Sequence, residues 1–464
     1  KVFAKGGFDV IIGNPPYVFG GGLGISNEEK KIFKNIYVSG SGKVNLFTLF
    51  VEKGIEILKP FGRISYIIPN TFLRVTSYSH IRKYLLDNTE LTDVVDLGGG
   101  VFDDAVTSAI IFVSKKVKPN LKSVTNILKD LIGSFTVVAQ QHFIDSDYLI
   151  TTNVTEAQLK LLKKLDSGII PLGDLSKELI FGMVISGNKD ELVFKEETPL
   201  LKPFLEGKDI GRYTIKPIHS FINYVPEKIH RPRTIKIFEA PEKLLIQRIT
   251  GGSRPLKVAY DNNRYYNKES INNLILREDC PFNIKSILGL LNSKLISWLY
   301  SVRFTNESTL TVNLSKEYLS KIPIQIDLLS IEKQLIKCVN LLLESNSSLT
   351  LFSTKFIKFF TQKYNLSSYS SKLDNWYDLE FGDFIKELNK AVRTSNKQRL
   401  KDGLQEVPEL TKKDEFEWLD LFEENKQKAQ DLQSQINQTD KEIDAMVYEL
   451  YGLTEDEIKI VEKS

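Results

Sequence analysis

The alternation of strand-like and helix-like segments over the first 118 residues constrains the fold of this chain more than any other feature. Phe8 to Ile12 is a short apolar run that stops at Gly13-Asn14-Pro15-Pro16. Leu46 to Leu58 has apolar residues at helical spacing and ends before Pro60, and Gly62 to Ile68 has the make-up of a buried strand ending at Pro69. Tyr78 to Leu86 predicts another helix, and Leu91 to Leu97 and Thr107 to Val113 predict two further strands. Strands and helices that take turns along a chain pack as a sheet with helices on its faces, so the expected class is α/β.

The pattern changes three times further on. Residues 119–178 are less regular, with a strand near Phe135 to Val138 and a helix from Glu156 to Leu165, and they read as a connector. Residues 179–326 are richer in Gly, Pro, Asn and aromatics and hold one long helical stretch, Ile284 to Tyr300, which suits a mixed α/β recognition domain. Residues 327–464 are helical and charged. There Leu432, Ile436, Ile443, Val447 and Leu450 recur at a spacing that predicts a packed helix or a short coiled coil. The serine runs Ser345 to Ser348 and Ser367 to Ser371 read as loops.

Composition removes several function classes. With 42% hydrophobic and 26% charged residues and no run of roughly 18 apolar residues, no membrane span is expected. Cys280 and Cys338 stand far apart without partners at ligand spacing, so neither a disulfide framework nor a metal site is expected, and a reducing, cytoplasmic setting fits. The net charge of +3 says little, but its distribution says more. Residues 201–330 hold 20 Lys and Arg against 12 Asp and Glu, interleaved with Tyr213, Tyr224, Tyr260, Tyr265, Tyr266 and Trp298, a mix that suits nucleic acid.

Asn14-Pro15-Pro16-Tyr17 is the segment that carries chemistry. Residues at the carboxyl end of a strand in an open α/β sheet face the ligand crevice, and two successive prolines fix the directions of the loop's side chains and carbonyls. An exocyclic amino group donates two hydrogens. The Asn14 side-chain oxygen and the Pro15 carbonyl can accept both, drawing the nitrogen toward a geometry from which its lone pair attacks a methyl donor. Tyr17 can stack on the base once it has been flipped out of its duplex.

In this setting Phe8-Asp9-Val10-Ile11-Ile12-Gly13-Asn14-Pro15-Pro16-Tyr17 resembles the catalytic motif of amino methyltransferases that use S-adenosylmethionine. Asn45-Leu46-Phe47 with Phe50-Val51-Glu52-Lys53, then Leu58-Lys59-Pro60-Phe61-Gly62-Arg63 and Ile67-Ile68-Pro69-Asn70-Thr71-Phe72-Leu73, are similar to the adenine-N6 DNA methyltransferases of fused restriction-modification proteins, type IIG, Eco57I-like and TaqI-like. That resemblance implies that Asn45, Phe47 and Phe50 line the cofactor pocket. Val101-Phe102 ahead of Thr107 to Phe112 resembles a later motif, which implies that Phe102 packs on the flipped adenine. Phe204 to Ile210, Leu244 to Ile249 and Leu290 to Lys294 resemble the family's target-recognition domain. Lys208, Arg212, Arg231, Arg233, Arg248, Arg254 and Arg264 are then the candidates for contact with double-stranded DNA.

Val95-Asp96-Leu97-Gly98-Gly99-Gly100 looks superficially like a cofactor-binding glycine turn. A strand-turn-helix unit of that kind needs a helix next and an acidic residue roughly 20 residues on, whereas here a short link leads into an apolar strand. The resemblance implies that the glycine motif lies upstream, and residues 1–118 are then expected to be the C-terminal half of a Rossmann-like methyltransferase sheet. The expected partner is an N-terminal methyltransferase half, in cis or in trans, without which the strand at Phe8 to Ile12 lacks its inner neighbour. The resemblance implies site-specific adenine-N6 methylation of DNA. The alternatives are a DNA-binding specificity module that is inactive without its partner half, or an amino methyltransferase acting on RNA or protein.

Overall fold

The chain builds a six-stranded sheet first. Its elements are strand β1 (Phe8–Gly13), helices α1 (Asn27–Ile36) and α2 (Leu46–Ile57), strand β2 (Leu58–Pro69), helix α3 (Ser79–Asn88) and strands β3 (Glu90–Gly98), β4 (Ala109–Lys115), β5 (Val124–Leu128) and β6 (Phe135–Ala139). They come from a computed structural model that describes residues 2–18, 24–40, 44–101, 108–128, 131, 133–152, 154–187, 189–305 and 312–463. The spatial order is β1-β2-β4-β3-β5-β6, with β1 parallel to β2 and β4 antiparallel to both of its neighbours. The sheet thus continues past residue 118 into the segment expected to be a connector.

Local chemistry explains the helices. Ser26 and Glu29 close a reciprocal capping box at the start of α1, and the Asn45 side chain caps α2. Phe47, Val51 and Ile55 repeat every four residues along α2 and pack into one core with Ile64, Tyr66 and Ile68 of β2. The helix comes close because Gly54 has no side chain: a Cβ there would stand 2.5 Å from Ile64 Cδ1. β2 starts directly at the end of α2, four residues before the expected strand. Pro60 is accommodated by a register slip opposite Phe8 to Val10, with Phe61 in the left-handed region at φ 67.

Among the described residues β1 pairs with β2 alone, so β1 is an edge. Its side chains do not suit an edge: Val10 is 57% and Ile12 80% exposed. A strand apolar on both faces belongs inside a covered sheet.

Strands Val258–Asp261, Lys243–Gln247, Ile271–Leu276 and Ser176–Phe181 form an antiparallel sheet in that spatial order, and four shorter strands between Val193 and Asn267 form a mixed one. The single helix expected over Ile284 to Tyr300 is two, Ile284–Asn292 and Lys294–Phe304. Ser293 breaks it: its hydroxyl donates to the Leu290 carbonyl at 2.7 Å and accepts from Ile296 N–H, capping the second helix. Three long elements follow, α4 (Leu328–Lys363), α5 (Phe381–Lys401) and α6 (Lys412–Leu450). The loop expected at Ser345 to Ser348 lies within α4, because the buried Ser345 hydroxyl donates to the Gln435 side chain on α6 and is satisfied inside the helix pair. Phe356, Phe360, Trp376, Phe384, Trp418 and Phe422 form a separate aromatic core under α4, α5 and α6. Ile443 and Val447 of α6 instead join the core of helices Ile284–Asn292 and Lys294–Phe304. Among the described residues no helix is long and apolar enough to cross a membrane.

Candidate functional site

Three chain crossings converge at one end of the six-stranded sheet. Gly13 stands opposite Tyr66, so the parallel strands β1 and β2 finish side by side, while Ala109 at the start of β4 pairs with both Pro69 and Gly98. The loops after β1, β2 and β3 therefore rise from the same end. Asn14 is exposed, Pro15 buried, Pro16 exposed and Tyr17 half-buried. The Asn14 amide makes no hydrogen bond to a described residue and is free to accept one from a ligand.

Tyr17 anchors that loop. Its hydroxyl donates to the Ile67 carbonyl on β2 at 3.1 Å, its ring meets the edge of Phe47 at 6.3 Å, and burial holds its pKa above the usual phenol value, so it remains a donor. Leu46 N–H donates to the Val18 carbonyl and ties the loop's far end to α2. Beneath lies a set of rings of which sequence reasoning singled out Phe47 alone: Phe47 packs edge-on against Phe72 and Tyr78, and Phe72 stacks on Phe112.

Of the three residues expected at a cofactor pocket, Asn45 and Phe47 are fully buried, one capping α2 beside the Tyr78 hydroxyl and the other within the ring cluster. Phe50 alone presents its ring outward, 46% exposed. Phe102 lies outside the described residues.

Arg82 on α3 is the residue that most firmly shapes the loop after β2. Fully buried, it donates to the carbonyls of Tyr148 at 2.7 Å, Phe72 at 2.9 Å and Val75 at 2.8 Å, and burial pulls its pKa down to about 10 without neutralising it. Nothing in its sequence surroundings marks it apart from its place on an amphipathic helix. Arg82→Met would leave three carbonyls short of a donor at roughly 1–3 kcal/mol each. We expect a loss of at least about 3 kcal/mol in urea unfolding, and a change below 1 kcal/mol would contradict this account.

That same loop touches the second half of the chain. The Tyr318 hydroxyl donates to the Arg74 carbonyl at 2.7 Å, its ring stacks on Phe304 at 4.9 Å, and Arg74, Thr76, Phe304 and Tyr318 border a cavity of about 260 Å³.

The seven basic candidates divide. Arg233 and Arg248 lie over the ring of Phe181 at 4.3 and 4.9 Å, and burial, followed by the charge of Arg231, lowers the pKa of Arg233. Arg231, Arg233 and Arg248 thus form one cluster. Lys208 and Arg264 are exposed, Lys208 within 3.3 Å of Glu206. Arg212 and Arg254 turn inward instead. Arg212 binds Asp440 and the Asn292 carbonyl, and Arg254 binds Asp440 at 2.8 Å and Asp444 at 2.6 Å. Asp440 and Asp444 stand one turn apart on α6: Asp440 holds both guanidinium groups and Asp444 joins it at Arg254, so both are occupied within the protein. Two acids within an otherwise apolar helical seam were the signal available for this.

Residues 1–102 match the family model described as Eco57I restriction-modification methylase, and residues 202–324 match the TaqI-like C-terminal specificity domain. Two segments of the chain are thus similar to parts of restriction-modification proteins. Residues 329–447 match a domain of unknown function, DUF8810. A Methanocaldococcus jannaschii relative described as a type II restriction enzyme and methyltransferase is 28% identical over 313 residues, covering 64% of this chain and 26% of that protein. The type II restriction enzyme and methyltransferase RM.Eco57I of Escherichia coli is 28% identical over 260 residues, 48% of this chain and 25% of its own length. The chain therefore spans about a quarter of the length of these curated relatives. Among solved structures, the type IIL restriction-modification enzyme MmeI in complex with DNA aligns over 91% of this chain and 57% of that one, with 12% identity and a TM-score of 0.46. The methylase segment coincides with the end of the sheet that bears Asn14, and the specificity segment with the region that bears the Arg231, Arg233 and Arg248 cluster.

Proposed function

We propose that this chain is the amine-binding and DNA-reading portion of an S-adenosylmethionine-dependent adenine-N6 DNA methyltransferase within a restriction-modification protein. The observation that carries this reading is the exposed, unbonded Asn14 amide at the carboxyl end of β1, on a loop held by Pro15, Pro16 and the bond from Tyr17 to Ile67. Asn14 and the Pro15 carbonyl accept the two amino hydrogens of a flipped adenine, and Tyr17 stacks on its ring, the role that the motif resemblance also implies for Phe102. Of the segment from Asn45 to Phe50, only Phe50 offers a surface for the purine of the cofactor, which when bound supplies the methyl group. Asn45 and Phe47 act behind it, shaping the loop. Lys208, Arg231, Arg233, Arg248 and Arg264 contact the duplex, while Arg212 and Arg254 hold the fold.

The bare, apolar edge of β1 is where the cofactor-binding half pairs. Alone, the chain reads DNA; with that half it transfers methyl groups. The test mixes the chain with the polypeptide encoded directly upstream and follows labelled methyl transfer to adenine in duplex DNA. Calorimetry of the chain alone with S-adenosylmethionine is expected to give no stoichiometric binding, and tight binding would overturn the division of labour. Transfer to RNA or to protein in preference to duplex DNA would overturn the substrate. Val10→Lys, on the free edge, should abolish co-elution of the two halves while leaving the melting temperature of this chain within about 2 °C, as expected of an exposed substitution.

A further inference from the structure

The segment that matches a domain of unknown function carries a feature that the methylase and specificity segments do not account for. On α5, Lys386, Lys390, Arg393, Lys397 and Lys401 are all exposed, while Phe384, Ile385, Leu388, Ala391, Val392 and Ser395 of the opposite face are buried. At 3.6 residues per turn the five cations fall within about 80° of the helix circumference and extend along about 22 Å of its axis. Arg393 pairs with Glu409 at 2.6 Å. Lys386, Lys390, Lys397 and Lys401 have no ion-pair partner among the described residues, although Asp383 lies at the start of the same face. Residues 414–424 of α6 are acidic by contrast, with Asp414, Glu415, Glu417, Asp420, Glu423 and Glu424 and no Lys or Arg.

We propose that this face of α5 binds the phosphate backbone of duplex DNA, giving the helical domain a sequence-independent grip beside the specificity segment. The choice of duplex DNA as ligand rests on the proposed function; the stripe does not. Three observations select a nucleic-acid backbone over other polyanions. The cations are spaced along a line, about 4.5–6 Å apart on the axis, which suits a rod of evenly spaced charge. Four of the five are lysines and no aromatic ring stands among residues 386–401, the reverse of the composition of a protein interface core. The apolar face of α5 is buried in the aromatic core and is unavailable to a lipid surface. The stripe is also held in relation to the reader, because α6, which packs beside α5, is bonded through Asp440 and Asp444 to Arg212 and Arg254.

The test compares the intact chain with the variant K386Q/K390Q/K397Q/K401Q in fluorescence titrations of a 30-base-pair duplex across a salt series, alongside poly-glutamate of matched charge. Each lost phosphate contact lowers the slope of log K against log salt by about 0.9, so the variant should lose about 3–4 units of slope and weaken on the order of 10- to 100-fold at moderate salt. The matching Lys→Arg variant should bind as the parent does, and unchanged melting temperatures exclude misfolding. Equal affinity and slope in parent and Gln variant would overturn the proposal while leaving the DNA-reading assignment standing. Absence of duplex binding by the intact chain would overturn both, and preference for poly-glutamate would replace DNA by an acidic protein.

Discussion

Asn14→Ala is expected to lower methyl transfer in the completed enzyme by about 10²–10³-fold in kcat while leaving duplex affinity and stability nearly unchanged. The magnitude is that of removing one preorganised group aimed at charge that changes in the transition state, about 2.7–4 kcal/mol. The selectivity follows from the position of the side chain. It is exposed and bonded to no described residue, so its loss leaves no buried partner behind and should stay within about 0.5 kcal/mol in folding stability. The affinity for DNA proposed for basic residues of the specificity segment and for α5 does not pass through it. Tyr17→Phe makes a useful contrast. It keeps the ring against Phe47 but loses the bond to the Ile67 carbonyl, so it loosens the loop without removing an acceptor, and a smaller loss is expected. The decisive measurement is single-turnover methyl transfer at saturating duplex. A rate for Asn14→Ala within threefold of the parent would refute the role given to this amide.

What the sequence made legible was local. Strand β1 and its Asn-Pro-Pro-Tyr end could be read because an apolar run, a glycine and two prolines set strand and loop within ten residues. The helix α2 was legible from its own spacing of Phe47, Val51 and Ile55. Where the structure differs, distant partners decided. Ser345 to Ser348 are polar enough for a loop, yet Ser345 lies in a helix because Gln435, 90 residues on, bonds its hydroxyl. Arg212 and Arg254 look like their basic neighbours in composition, and partners on α6 such as Asp440, 228 and 186 positions away, separate them from the cations proposed to contact DNA. The break at Ser293 was the reverse case: the serine that caps the second helix was there to be read, but the apolar spacing on either side runs through it without interruption.

Asp444→Ala is expected to cost about 3 kcal/mol of folding stability, the lower end for breaking a buried pair, because Asp440 still holds Arg254. The Asp444 carboxylate accepts from Arg254 at 2.6 Å and from Lys294 N–H at 2.7 Å with only 8% of its side chain exposed. Burial holds its pKa above the ordinary carboxylate range against the pull of Arg254; at Arg254 burial is opposed and outweighed by Asp444 and Asp440, so the guanidinium stays charged. Removing the acid therefore leaves the half-buried Arg254 with Asp440 alone and an amide at the start of a helix without its acceptor, which is costlier than never having had the pair. Taking both charges away should be milder, so Arg254→Met combined with Asp444→Leu is expected to recover much of the loss in urea unfolding. If the double variant falls further than the single one, the pair is net stabilising and burial does not dominate.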